Sequence, residues 1–107
     1  MIEWVSGNVF IRPNKLAKAG DAIEGHRHNF DHTTIVFTGA IRITATLPDG
    51  SQRCADKRAP GYLLIRKDVT HRIEALEPDS VFWCVYSHRT PQGDVVQEWD
   101  GWLPAYV

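Results

Sequence analysis

From residue 40 to residue 47 apolar and polar side chains alternate. Ile41, Ile43, Ala45 and Leu47 fall on one face, Arg42, Thr44 and Thr46 on the other. A period of two is that of a β-strand with one buried face. Pro48-Asp49-Gly50 then makes a tight turn, and Ser51 to Ala55 returns as a hairpin partner. The same reading gives strands at Val9 to Arg12, closed by Pro13, at Ala22 to His28 and at Thr33 to Phe37. Further strands are predicted at Tyr62 to Ile65 after the turn Pro60-Gly61, at His71 to Leu76 and at Ser80 to Ser87. The last is apolar on both faces, with Phe82, Cys84 and Tyr86 against Val81, Trp83 and Val85, so it is expected to be covered on both sides. One face should line a largely apolar pocket. Helical composition occurs only at Asn14 to Ala19, and Gly20 ends it after little more than a turn. Many short strands with turns every eight to twelve residues point to an antiparallel sandwich or barrel, an all-β fold.

Length and charge narrow the classes. A chain of 107 residues makes one domain. With 12 basic and 13 acidic residues it lacks the positive balance that favours nucleic acid or an anionic membrane, so neither is expected as a partner. No run approaches the roughly 20 apolar residues of a membrane helix, and no signal peptide is visible. Cys54 and Cys84 are isolated, which suits reduced thiols in a cytoplasmic protein.

The chemistry lies in the histidines. His26, His28 and His32 form H-x-H-x3-H, and His71 follows 39 residues later beside another strand. Imidazole is the commonest protein metal ligand, since near pH 7 its neutral form offers a lone pair. On a strand, residues i and i+2 share a face, so His26 and His28 can meet one ion. His32 can join them from the next turn or strand. Asp31 is the alternative there, although on a strand it would point to the opposite face. All-nitrogen ligation suits a divalent Zn, Fe, Cu or Ni and tolerates Mn. No hydrolase elbow, phosphate loop or H-E-x-x-H is present. For proton transfer the last strand offers Tyr86 and, just beyond it, His88, which otherwise reads as an ordinary surface histidine.

These residues carry a resemblance. Gly20 to Gly39, G-DAIEG-H-R-H-NFD-H-TTIVFT-G, looks like the first motif of the cupin superfamily in every spacing. His32 stands where that motif usually has glutamate. Gly61 to His71, GYLLIRKDVTH, resembles the second motif, one residue shorter. Lys67 and Val69 replace its usual proline and second glycine, and Ala75 its trailing asparagine. The resemblance implies a double-stranded β-helix, a jelly-roll β-barrel, holding one metal ion, and it implies a homodimer. The domain is then 1–107, with an N-terminal strand or arm at 1–19, the barrel with its metal site at 20–88, and a C-terminal tail at 89–107. Trp99, Trp102 and Tyr106 in the tail should pack on the barrel or on a second subunit, and Trp4 could join either arrangement. A fourth imidazole in place of glutamate brings no negative charge, so a divalent ion is favoured and keeps its pull on an anionic or enolate-like ligand. The function expected is a small metalloenzyme, a dioxygenase or isomerase, acting on an oxygen-bearing organic substrate. The alternatives are a metal-dependent module that binds a small anion or sugar without catalysis, and a closed structural zinc site.

Overall fold

A computed structural model describes residues 4–6, 8–87, 89–90, 92 and 94–95, without the side chains of 4–6 and 26. Nine strands run in chain order: β1 (Trp4–Ser6), β2 (Val9–Leu16), β3 (Ala22–His26), β4 (His32–Thr38), β5 (Ala40–Thr46), β6 (Gln52–Arg58), β7 (Gly61–Ile65), β8 (Thr70–Ala75) and β9 (Ser80–Ser87). They form a five-stranded sheet, β1-β2-β9-β4-β7, and a four-stranded sheet, β3-β8-β5-β6. Every pairing is antiparallel. The fold is an all-β jelly-roll sandwich, and no helix occurs among the described residues.

Alternation builds the core. Ile41 and Ile43 of β5 and Ile73 and Ala75 of β8 face Val36 of β4, Ile65 of β7 and Phe82 of β9, all buried. The hydroxyl of Ser80 stitches the start of β9 to β5, accepting from Ala40 N at 3.2 Å and lying 3.0 and 2.8 Å from the carbonyls of Ala40 and Glu77. Gly39 turns the chain between β4 and β5 with φ +74°. A Cβ there would run into Ser80 Oγ and lie 2.9 Å from Ser80 Cα, so glycine is needed twice over. Around Pro48-Asp49-Gly50, the Gly50 amide donates to Leu47 O at 2.9 Å, and Asp49 Oδ1 accepts from the Ser51 amide and hydroxyl.

Four local expectations fail. Pro13 does not close a strand: β2 continues to Leu16, paired with β9 throughout. Among the described residues β1 pairs with β2 only as far as Ile11. Among the described residues β2 has β9 as its partner beyond that point, and on a strand edge a missing N–H costs little. Asn14 to Ala19 forms no helix. Asn14, Lys15 and Leu16 pair with Phe82, Val81 and Ser80, and the rest is too short to repay helix nucleation. β3 stops at His26 after an irregularity between Ile23 and His26, so His28 lies in the following loop rather than on a strand face. β9 is not covered equally on both sides. Ser80 and Phe82 are buried, whereas Val81, Trp83 and Val85 are half-buried on a face with no second layer among the described residues. His88 and the tail aromatics Trp99, Trp102 and Tyr106 lie outside the described residues, as does the side chain of Trp4.

Candidate functional site

Three imidazoles meet at one end of the sandwich. His32 opens β4 and is 3% exposed, and His71 is the second residue of β8 and 1% exposed. His28 reaches them from the β3–β4 loop. The ring centroids are 5.2 Å apart for His32 and His71, 5.3 Å for His28 and His32, and 5.9 Å for His28 and His71. Backbone register sets His26 opposite His71 across β3 and β8; the His26 side chain lies outside the described residues. The two strands approach closely here. A Cβ on Gly25 would sit 2.9 Å from Thr70 Cγ2 and 3.2 Å from the His71 carbonyl.

Asp31 takes a different role. Its Oδ1 accepts from the Lys67 amide at 2.7 Å, and the Asp68 amide donates to the His28 carbonyl at 2.7 Å. These bonds tie the β3–β4 loop to the β7–β8 loop, so the segments carrying His28 and His71 are held in register by one side-chain and one backbone contact. His71 Nδ1 lies 3.3 Å from the Val69 carbonyl. With the proton on Nδ1, directed to that carbonyl, Nε2 carries the lone pair, the orientation a ligating imidazole needs.

The ring spacing can be set against a metal. With N–metal bonds of about 2.1 Å, each imidazole centroid lies about 3.2 Å from the ion. Two such rings are then about 5.2 Å apart at a tetrahedral angle and about 4.5 Å apart at a right angle. The observed triangle matches the first for two of its sides and is wider on the third. Among the described residues no three His, Cys, Asp or Glu side chains already converge as a complete donor set. The donor chemistry suits a divalent ion, and the ring spacing matches a tetrahedral arrangement on two of the three sides.

An aromatic wall flanks the triad. Tyr86 lies 6.2 Å, centroid to centroid, from both His28 and His32. It stacks on Phe10 at 4.8 Å and packs on Phe30 at 4.6 Å. Phe30 in turn stacks on His28 at 4.9 Å and carries the Arg89 guanidinium 5.0 Å above its ring. Below lies a cavity of about 20 Å³ bordered by His28, Tyr86, Cys84, Arg12 and Asn14, with Phe82 as floor. That is room for about one water molecule. The cavity lining is largely apolar, as strand β9 led one to expect, with Arg12 and Asn14 as added polar groups. Arg12 and Asn14 come from β2, opposite Cys84 and Phe82. Asn14 fell outside the strand expected to close at Pro13, and Arg12 lay inside it without being given a role. The alternation Phe10, Arg12, Asn14, Leu16 was the available signal. Burial pushes the Cys84 thiol above its ordinary value, against a smaller opposing effect from Thr34, whose Oγ1 is 3.8 Å from the sulfur.

No family model matches the chain, and no curated protein matches it. Solved structures do. The chain is similar to the formate complex of Lactobacillus farciminis oxalate decarboxylase, with a TM-score of 0.68 and 25% identity over 78% of this chain and 24% of that one. A single-substitution variant of Bacillus subtilis oxalate decarboxylase gives a TM-score of 0.69 at 22% identity, over 86% of this chain and 24% of that one. The chain spans about a quarter of the length of these enzymes. The likeness is one of fold, and it agrees with the jelly-roll sandwich.

Proposed function

We propose that this chain is a small metal-dependent cupin enzyme whose divalent ion is held by His26, His28, His32 and His71. The observation that carries the reading is the convergence of His28, His32 and His71, from three separate segments, to ring spacings of 5.2 to 5.9 Å. His26 completes the set through its register opposite His71. When bound, the ion supplies Lewis acidity toward an oxygen-bearing organic substrate. The chain's own residues do the rest. Neutral imidazoles leave the cation's charge uncancelled. Arg12 adds positive charge to the cavity wall, so a small acid or enolate is the substrate class that suits the site best. Oxalate, the acid in the neighbours' names, belongs to that class. Phe10, Phe30 and Tyr86 exclude water from one side. The Tyr86 hydroxyl is the proposed proton carrier, because its ring stands beside two of the imidazoles. His88 remains the second candidate for that role by sequence position. The half-covered apolar outer face of the five-stranded sheet supports the proposal of a homodimer, which sedimentation at rising concentration tests.

Elemental analysis of protein purified without a histidine tag tests the reading. One divalent ion per chain, lost from the His32→Ala variant, is expected. Full metal content in that variant, or no metal in the parent after supply of Mn, Fe, Ni, Cu and Zn, overturns it. A substrate panel of small dicarboxylates, diketones and catechols then separates an enzyme from a binding module.

A further inference from the structure

A second cavity lies one strand away from the imidazoles. Strands β6 and β7 are the outer strands of different sheets, and no hydrogen-bond ladder joins them. Between them opens a slit of about 340 Å³. Its lining is core-type apolar surface: Ile43 and Ala45 of β5, Ala55 of β6, Leu63 and Ile65 of β7, and Val69 of the next loop. Ile65 pairs with His32, and Ala45 with His71, so these two residues separate the slit from the imidazole triad. The histidines themselves do not border it.

Two arginines, Arg53 and Arg66, line this slit. Arg53 lies opposite Ala45 in the β5–β6 ladder, on the core-facing side of the sheet. Neither arginine makes an ion pair or a side-chain hydrogen bond among the described residues. Asp49 is the acid on which Arg53 acts, and only weakly. The Asp49 carboxyl is held below its ordinary range chiefly by hydrogen bonds from Ser51 Oγ and N, with Arg53 contributing last. An apolar slit with two uncompensated cations beside it is complementary to a molecule with an apolar body and an anionic head. The volume sets the size. At about 15 Å³ of such space per water-sized group, it has room for a chain of roughly ten or more such groups. A peptide strand of that volume would be only a few residues long, and the polar handles are side chains rather than a backbone edge.

We propose that the slit between β6 and β7 is a binding site for a medium-chain carboxylate, with the acyl chain among Ile43, Ala55, Leu63 and Ile65 and the carboxylate on Arg53 and Arg66. The site is separate from the imidazole cluster and does not require it to hold a metal.

Calorimetric titration of the full chain with monomeric decanoate tests this, with decyltrimethylammonium as the opposite-charge control. Decanoate should saturate one site, and the cationic amphiphile should bind at least about tenfold more weakly. The double variant Arg53→Gln/Arg66→Gln changes exposed side chains only. It should weaken decanoate about tenfold, the loss expected for a charge-assisted contact. Ala55→Phe narrows the slit and should weaken binding; if it melts earlier than the parent, the arginine variant decides alone. Metal content should be the same in the parent and in the arginine variant, so failure here is distinguishable from failure of the metal site. Absence of saturable decanoate binding overturns the proposal. So does equal affinity for the two head groups, or affinity unchanged by the arginine substitutions.

Discussion

His71→Ala removes one proposed ligand, and its consequence can be worked out. His71 is 1% exposed, its ring is 5.2 and 5.9 Å from those of His32 and His28, and Nδ1 is oriented by the Val69 carbonyl. Four-ligand structural zinc sites are worth about 10–16 kcal/mol, or about 2.5–4 kcal/mol per ligand. Loss of one should therefore weaken binding by about a hundredfold or more. Metal at about a hundred times the parent's Kd stabilises the folded chain by about 2.7 kcal/mol. For a domain of this size each kcal/mol moves Tm by about 4–8 °C, so the parent should gain about 11–22 °C on metal addition. In the variant the same concentration only reaches Kd. The gain falls to about 0.4 kcal/mol, or about 2–3 °C. The assay is scanning calorimetry of chelator-treated protein with and without the ion identified by elemental analysis. Comparing the metal-induced shifts removes the packing cost of the missing ring, which both variant traces share. Equal shifts in parent and variant would refute the claim that His71 is a ligand.

Other expected outcomes follow from single contacts. Tyr86→Phe keeps the ring that stacks on Phe10 and loses only the hydroxyl. Metal content should hold while turnover of whichever substrate is found falls about a hundredfold or more, as for loss of a general acid or base; unchanged turnover removes Tyr86 from the mechanism. Ser80→Ala strips the buried Ala40 amide of its hydroxyl partner and should cost about 1–3 kcal/mol in urea unfolding. Native protein treated with iodoacetamide near pH 8 should be alkylated at exposed Cys54 and spared at Cys84. Burial raises the Cys84 value on folding, so its contribution to stability is whole below the unfolded thiol's range and is lost as pH rises through the raised folded value. A native chain that labels equally at both cysteines contradicts that burial.

Strands bounded by turn residues, or with strict alternation, were legible from residues alone. Ser80 to Ser87 has the predicted bounds, and Ile41 and Ile43 are buried where the period of two puts them. Elements failed where local signals competed with pairing. Pro13 reads as a stop, yet its strand continues because β9 supplies a partner along its full length. His28 reads as the strand-mate of His26, yet β3 ends between them and the loop delivers the ring instead.

The order of residues determined the architecture and the type of candidate donor. A repeated period of two with turn residues between leaves an antiparallel sandwich as the way to bury one face of each strand. Histidines at 26, 28, 32 and 71 name the donor type wherever they end up. Distances across the sandwich are decided by which strands pair, and pairing is a property of the whole chain. Only the folded molecule brings His71 to within 5.2 Å of His32, ring to ring. It also turns Arg12 into the cavity beside Tyr86 and leaves β6 and β7 unjoined around an apolar slit. His32 and His71, like Arg12 and Tyr86, are far apart in sequence, so no local pattern encodes their meeting.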